Sequence, residues 1–191
     1  KADGKRLIVA TFASNIHRMQ QIIDAAHKTG RKVAVSGRSM ENIVQVAIEL
    51  GYLTIGTDVL IPVDEISKYP NDKVVIITTG SQGEPMSALS RMAASEHRKI
   101  NVVPGDTVII SATPIPGNEK LVSKVVNQLF KKGAEVIYDS QEKIHVSGHA
   151  CQEELKLMHS LVKPRFFIPV HGEYRHLKQH GELAMELGLP E

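Results

Sequence analysis

The stretch VVIITTGSQG, residues 74–83, joins a run of β-branched residues to a series of small polar residues. The same order recurs along the chain: an apolar run, small polar residues, and then, in most cases, a segment with helical spacing. Further examples are RLIVATFASN (6–15), KVAVSGRS (32–39), TVIISATPIPGN (107–118), HVSGHA (145–150) and FFIPVHGE (166–173). Apolar runs of this length are typical of strands covered on both faces, and helices between them favour crossovers between parallel strands.

The segments between these runs carry apolar residues three and four positions apart, which indicates amphipathic helices. One helix is expected to start near the cap residue Ser39, and another to hold Pro85 in its first turn. Glycines or prolines end the periodic segments, as at Gly30, Gly51 and Pro164. The pattern therefore predicts an α/β fold: a layered, mainly parallel sheet with helices on both faces, plus a short βα extension at the end of the chain.

Composition limits the function only loosely. The chain has 191 residues, of which 42% are apolar, enough for one domain or two small ones. A net charge of +2 permits an anionic partner without indicating one. Cys151 is the only cysteine, which excludes an internal disulfide and fits a reducing cytoplasm. No apolar stretch reaches the roughly 18 residues that span a membrane.

Two small-residue loops could contact phosphate. The loop HVSGHA (145–150) could surround a phosphate with its amides, hydroxyl and imidazoles, or could be an ordinary capped turn. Spacing alone favours neither reading. Ser14 and Asn15 could likewise contact a phosphate together with Arg18, although helix capping explains both residues equally well.

Metal chemistry is not indicated by spacing. His171 ends an apolar run, but one histidine is not a metal site, so the residues alone favour a structural or exposed role for it. His176 and His180 are four residues apart on an expected helix, where a solvated pair is the simpler interpretation. The metallohydrolase motif His-x-His-x-Asp-His does not occur in the 191 residues.

Several longer strings together carry a resemblance to a known family. They are FASNIHR, TTGSQGEPMSAL, ATPIPGNE, HVSGHA, QEELKLM and FIPVHGEYRHL. In this order they closely resemble the bacterial ribonuclease J family, of the metallo-β-lactamase and β-CASP nuclease superfamily. The resemblance implies a β-CASP domain over residues 1–143, and over residues 144–191 a segment returning to the metallo-β-lactamase core into which that domain is inserted.

The resemblance also implies roles for individual residues. His149 would be catalytic, beside the scissile phosphate, and His171 would be the last protein ligand of a two-zinc centre. The implied substrate-binding residues are Ala13, Ser14, Asn15, His145, Val146, Ser147, Gly148 and His149. Only one metal ligand, His171, is expected in this chain, so we expect the chain to bind RNA but to be inactive by itself.

The resemblance further implies activity and partners for the full-length protein. It would be a cytoplasmic ribonuclease that degrades or matures RNA by 5′-to-3′ exonucleolytic and endonucleolytic cleavage. Its partner would be single-stranded RNA with a 5′ monophosphate, without a membrane, and it would form a homo-oligomer or a hetero-oligomer with a paralogue. The alternatives are a non-catalytic RNA- or nucleotide-binding α/β module, or a weakly active paralogue.

Overall fold

The computed structural model describes residues 4–138 and 149–189, and the chain divides into two compact units, Lys1–His145 and Val146–Glu191. The first unit contains a six-stranded sheet in the order β3-β2-β4-β1-β5-β6. Its strands are β1 (Leu7–Ala10), β2 (Lys32–Ser36), β3 (Leu60–Ile61), β4 (Val74–Thr78), β5 (Thr107–Ile110) and β6 (Glu135–Ile137). Every described strand pairing is parallel, which confirms the expected sheet.

Four helices of this unit connect strands. They are α1 (Ile16–Lys28), α2 (Arg38–Glu49), α3 (Ala88–Ala93) and α4 (Glu119–Lys131). Two 3₁₀ helices, Val63–Lys68 and Asn71–Lys73, occupy the connection from β3 to β4. Each α-helix follows one of the apolar runs, because the small polar residues at the strand ends allow the chain to turn.

Two apolar clusters lie on opposite faces of the sheet, as alternation along each strand requires. In β1, Ile8 packs with residues of α3 and α4, whereas its neighbour Val9 packs with residues of α1 and α2. Both faces of the sheet are therefore covered by helices, which confirms the predicted fold class.

A buried ion pair joins the segments that lead into β1 and β5. The Arg6 guanidinium donates from Nε to Asp106 Oδ1 at 3.0 Å and from Nη2 to Asp106 Oδ2 at 2.6 Å. The Val103 amide donates to the same carboxylate at 2.9 Å. The side chains of Arg6 and Asp106 are only 10% and 2% exposed, so each depends on the other for compensation of its charge.

Two expected helix starts were wrong. Helix α2 begins after Gly37, not at a Ser39 cap, because Gly37 has a φ of +118° and a Cβ there would lie 2.8 Å from Thr79 Oγ1. Pro85 lies in a turn before α3, whose N-cap is Ser87; the Ser87 hydroxyl accepts from the Ser90 amide at 3.3 Å.

The second unit contains two helices within its described residues, α5 (Gln152–Val162) and α6 (Tyr174–Glu186). FFIPV, residues 166–170, was expected to form a strand, but it pairs with no described residue. Its side chains nevertheless alternate as in an extended chain: Phe166, Ile168 and Val170 are exposed, and the two between them are half-buried. The described part of the extension is thus helical with one extended connection, because no backbone partner completes a strand. The other expected strand, at HVSGHA, lies mostly outside the described residues, as does the expected domain boundary at residues 143–144.

Candidate functional site

His149 and His171 lie side by side in the second unit. Their ring centroids are 5.1 Å apart and the ring planes differ by 13°, so the imidazoles are stacked. Both residues are exposed. The structure thus brings together the two exposed histidines that the sequence could not relate by spacing.

The helices that follow these histidines position them. His149 is two residues before Cys151, the N-cap of α5, and His171 is two residues before Glu173, the N-cap of α6. The Glu154 carboxylate accepts from the Cys151 amide at 2.7 Å, which holds the first turn of α5. The two imidazoles therefore mark the point where the starts of α5 and α6 meet.

Phe167 holds the two helices against each other. Its ring contacts His159 of α5 edge-on at 5.3 Å between centroids, and His180 of α6 edge-on at 4.8 Å. His176 Nδ1 accepts from the Glu173 amide at 3.1 Å, so this histidine caps α6. His176 and His180 thus have separate local contacts, and His180 is half-buried although a solvated pair was expected.

The backbone at His171 is unusual for a residue with a side chain. His171 has a φ of +71°, in the left-handed region, and the following Gly172 has a φ of +122°. A Cβ at Gly172 would lie 3.1 Å from the Cβ of His176. Non-glycine residues adopt such angles at a free-energy cost, and they concentrate at functional sites. The His171 ring at this turn stacks on the ring of His149.

The described residues do not by themselves complete a metal site. Zinc is held by three or four protein ligands, and residues 4–138 and 149–189 contain no group of three or more histidine, cysteine, aspartate or glutamate side chains that could hold one. His171 offers one imidazole of the kind zinc binds. The expected phosphate loop, His145 to Gly148, lies outside the described residues.

The other expected substrate loop, Ala13 to Asn15, follows β1 in the first unit. Asn15 Oδ1 accepts from the Arg18 amide at 3.0 Å, so its side chain caps α1, while Ser14 is exposed. Arg18 donates from its guanidinium to the Ser111 carbonyl at 2.6 Å, which ties this loop to the end of β5. The capping role is present, and the exposed Ser14 leaves a contact with a ligand open.

A buried glutamine organises the glycine-rich loop after β4. Gln82 is 2% exposed; its amide nitrogen donates to the Thr113 carbonyl at 3.0 Å and its oxygen accepts from the Ile115 amide at 2.7 Å. A Cβ at Gly83 would lie 2.5 Å from the carbonyl carbon of Leu121. The glycine is needed for close packing on α4, so it has a structural role in this loop.

Comparisons with known proteins classify both units. The family model described as "Ribonuclease J, beta-CASP domain" matches residues 4–129, and the one described as "Zn-dependent metallo-hydrolase RNA specificity domain" matches residues 134–190. Residues 4–129, which contain β1 to β5, are thus a β-CASP domain, which the parallel sheet with helices on both faces fits, whereas β6 lies within the second match. The chain belongs to the ribonuclease J family.

Curated relatives agree with this classification. The chain is 55% identical over 186 residues to "Ribonuclease J" of Helicobacter pylori strain B128, a match that covers 97% of this chain and 27% of the relative. It is 51% identical to "Ribonuclease J2" of Bacillus subtilis, covering 96% of this chain and 33% of that protein. It is also 51% identical to "Ribonuclease J" of Thermus thermophilus, covering 97% and 32%. The chain thus spans about a quarter to a third of the length of these relatives.

No helix within residues 4–138 or 149–189 has the length and apolar character required to cross a membrane.

Proposed function

We propose that this chain is the RNA-binding portion of a metal-dependent ribonuclease that cleaves RNA phosphodiesters, both 5′-to-3′ from an end and internally. Family membership and the relatives, which are ribonucleases J, support the reaction class. The single structural observation that carries the proposal is the stacked pair of exposed imidazoles, His149 and His171, at the start of two helices.

The two histidines have different roles in this proposal. His149 donates a hydrogen bond or a proton at the scissile phosphate, for which an exposed imidazole is suited. His171 is one ligand of a two-zinc centre, and the strained backbone at this residue supports a specific orientation of its ring. Bound zinc would supply an activated water and stabilise the charge that develops on the phosphate. The remaining ligands are not among the described residues.

The substrate is single-stranded RNA carrying a 5′ monophosphate. Its phosphates contact the loop Ala13 to Asn15 and the loop His145 to His149. A net charge of +2 means that local groups, not the overall field, must attract the RNA. The active assembly is an oligomer of identical subunits or of this protein with a paralogue, and the lone exposed Cys151 supports a cytoplasmic location.

The division of roles is testable with alanine variants of the full-length protein that contains this sequence. His149→Ala should slow cleavage of a 5′-monophosphorylated RNA by roughly a hundredfold or more while the metal is retained. His171→Ala should weaken zinc affinity by more than about tenfold, since even groups that only support zinc ligands contribute about 10–100-fold. Metal content and single-turnover cleavage rates measure the two effects separately.

His17→Ala is the matched control, because His17 is exposed on α1 of the first unit. It should change neither metal content nor cleavage rate. Equal loss of metal in the His149 and His171 variants would contradict the assigned roles. RNA binding without metal-dependent cleavage by the full-length protein would instead identify a non-catalytic binding module.

A further inference from the structure

An open cleft of about 750 Å³ lies at the carboxyl ends of β2 and β4 in the first unit. In parallel α/β sheets, this edge is where ligands bind, because the loops there are exposed. The cleft is formed by the residues after β2, the first residues of α2, the residues around the start of α3, and the segment His97 to Lys99. None of these residues is among the site residues predicted from the sequence.

Positive charge dominates the lining. Arg38, Arg91 and Arg98 line the cleft, and within the described ranges none of the three guanidinium groups is joined to a carboxylate by a salt bridge. Arg38 and Arg98 are exposed, whereas Arg91, on α3, is half-buried. A partly buried guanidinium without a carboxylate partner retains donors for a ligand, and its fork matches the oxygens of a phosphate.

The other charged groups of the cleft are already engaged. Lys99 Nζ forms an ion pair with Asp64 at 2.8 Å. The Glu41 carboxylate accepts from the Gly37 amide at 3.1 Å, and the Glu84 carboxylate accepts from the Gln82 amide at 3.2 Å. Both lining carboxylates keep their negative charge, and that of Glu41 acts on His97. Neither forms a salt bridge with a lining arginine within the described ranges, and the four basic side chains of the cleft, Arg38, Arg91, Arg98 and Lys99, outnumber the two acidic ones.

A buried hydroxyl adds a neutral donor. His97 Nδ1 accepts from the Ile100 amide at 3.1 Å and from the Lys99 amide at 3.3 Å, so the ring proton must be on Nε2. Nε2 therefore donates to Ser36 Oγ, 3.1 Å away. Burial, and secondarily the charge of Arg91, lower the pKa of His97 and keep it in this neutral form. Ser36 is 2% exposed, and among the described residues its hydroxyl proton has no acceptor.

We propose that this cleft binds a backbone phosphate of single-stranded RNA, with Arg91 and Arg38 as charged donors and the Ser36 hydroxyl as the neutral donor. The inference rests on the proposed function, which supplies RNA as the ligand. No aromatic side chain other than the His97 imidazole lines the described cleft, so the contact is to the sugar-phosphate chain and does not read the bases.

Arg91→Gln tests the assignment, with Lys124→Gln as the control that removes one charge from an exposed position on α4. Affinity of the 191-residue chain for a labelled oligouridylate is measured by fluorescence anisotropy over a range of salt concentrations. Arg91→Gln should weaken binding about tenfold. It should also reduce the slope of log affinity against log salt by about 0.7, the value for one phosphate contact of a single strand. Arg91→Lys should keep most of the slope and recover only part of the affinity.

Three results would overturn the inference. The first is an unchanged affinity for RNA in Arg91→Gln while the unsubstituted chain binds RNA. The second is an equal loss in Lys124→Gln, which would mean a general charge effect. The third is an Arg91→Gln variant that no longer binds inorganic phosphate but keeps its full affinity for RNA. Phosphate binding is measured through the NMR amide signals of Ser36 and His97. In that case the cleft would hold a free anion and not RNA. Failure of the unsubstituted chain to bind RNA would instead refute the proposed function. Circular dichroism of each variant verifies that the fold is retained.

Discussion

Replacing Asp106 with leucine should be among the most destabilising single changes in the first unit, and yet it should leave ligand binding by the folded protein intact. The substitution removes the acceptor of two Arg6 hydrogen bonds and of the Val103 amide. It leaves a guanidinium that is only 10% exposed, with the Asn101 carbonyl as its remaining described acceptor, at 2.6 Å. Breaking a buried pair on one side costs about 3–5 kcal/mol of unfolding free energy.

The double variant Arg6→Met with Asp106→Leu separates the pair from its surroundings. With both charges removed, no buried charge is left without compensation, and the double variant should recover most of the stability lost in Asp106→Leu. Urea unfolding followed by circular dichroism measures the free energies of the two single variants and the double variant. An Asp106→Leu variant that loses less than about 1 kcal/mol would refute the reasoning, since such values are typical of exposed pairs.

The position of the pair predicts the functional consequence. Arg6 and Asp106 immediately precede β1 and β5, at the amino ends of the strands, whereas the candidate RNA-binding loops follow the carboxyl ends. Under conditions where the variant is fully folded, its affinity for RNA should therefore equal that of the unsubstituted chain. A large loss of RNA affinity in the folded variant would mean that the two edges of the sheet are coupled.

Two further predictions concern Phe167 and His97. Phe167→Ala should destabilise the second unit by roughly 1–3 kcal/mol, because a half-buried ring that joins α5 to α6 is lost. Nuclear Overhauser contacts between the His149 and His171 rings should also weaken. The control is Phe166→Ala, at a residue that is 79% exposed, which should have neither effect. In an NMR titration, the pKa of His97 should lie below its ordinary value of 6.5, because burial disfavours the charged form. Since the pKa is lower in the folded than in the unfolded protein, the contribution of His97 to stability is complete above about pH 6.5 and is lost as the pH falls through the folded pKa. A His97 pKa at or above 6.5 would contradict the inference that burial controls the protonation of this ring.

The sequence was sufficient to predict the parallel sheet, because each long strand is an apolar run that contrasts with its flanking residues. It was insufficient for β6, where only three residues, Glu135 to Ile137, form the strand and one of them is charged. The sequence also predicted a strand at FFIPV, residues 166–170. Amino-acid composition indicates that a segment tends to adopt an extended conformation, but not whether a neighbouring strand is present to pair with it. Local pattern therefore identified the strands that are long apolar runs, and it missed or misjudged the two segments whose state depends on whether a neighbouring strand is present.

The candidate site divides in the same way. Capping by Asn15 followed from its position before a helix, but the stacking of His149 on His171 depends on the packing of α5 against α6 around Phe167, which no spacing in the chain records. The cleft beside β2 was missed for a related reason: its arginines come from separate segments, and each by itself resembles an ordinary surface residue. A signal was the group of basic residues in and after α3, Arg91, Arg98 and Lys99, together with Arg38 shortly after β2.

The loops at the carboxyl edge of the sheet are connected to one another by their own side chains. Arg18 joins the loop after β1 to the end of β5, and Gln82 joins the loop after β4 to the loop after β5 through contacts with Thr113 and Ile115. Three loops that would each lose conformational freedom on binding are thus already held in place before a ligand arrives. If this edge binds RNA as proposed, binding of a flexible strand costs mainly the ordering of the RNA, so modest phosphate contacts are enough for affinity. This arrangement therefore supports the proposed RNA-binding role of a domain with few aromatic residues and a small net charge.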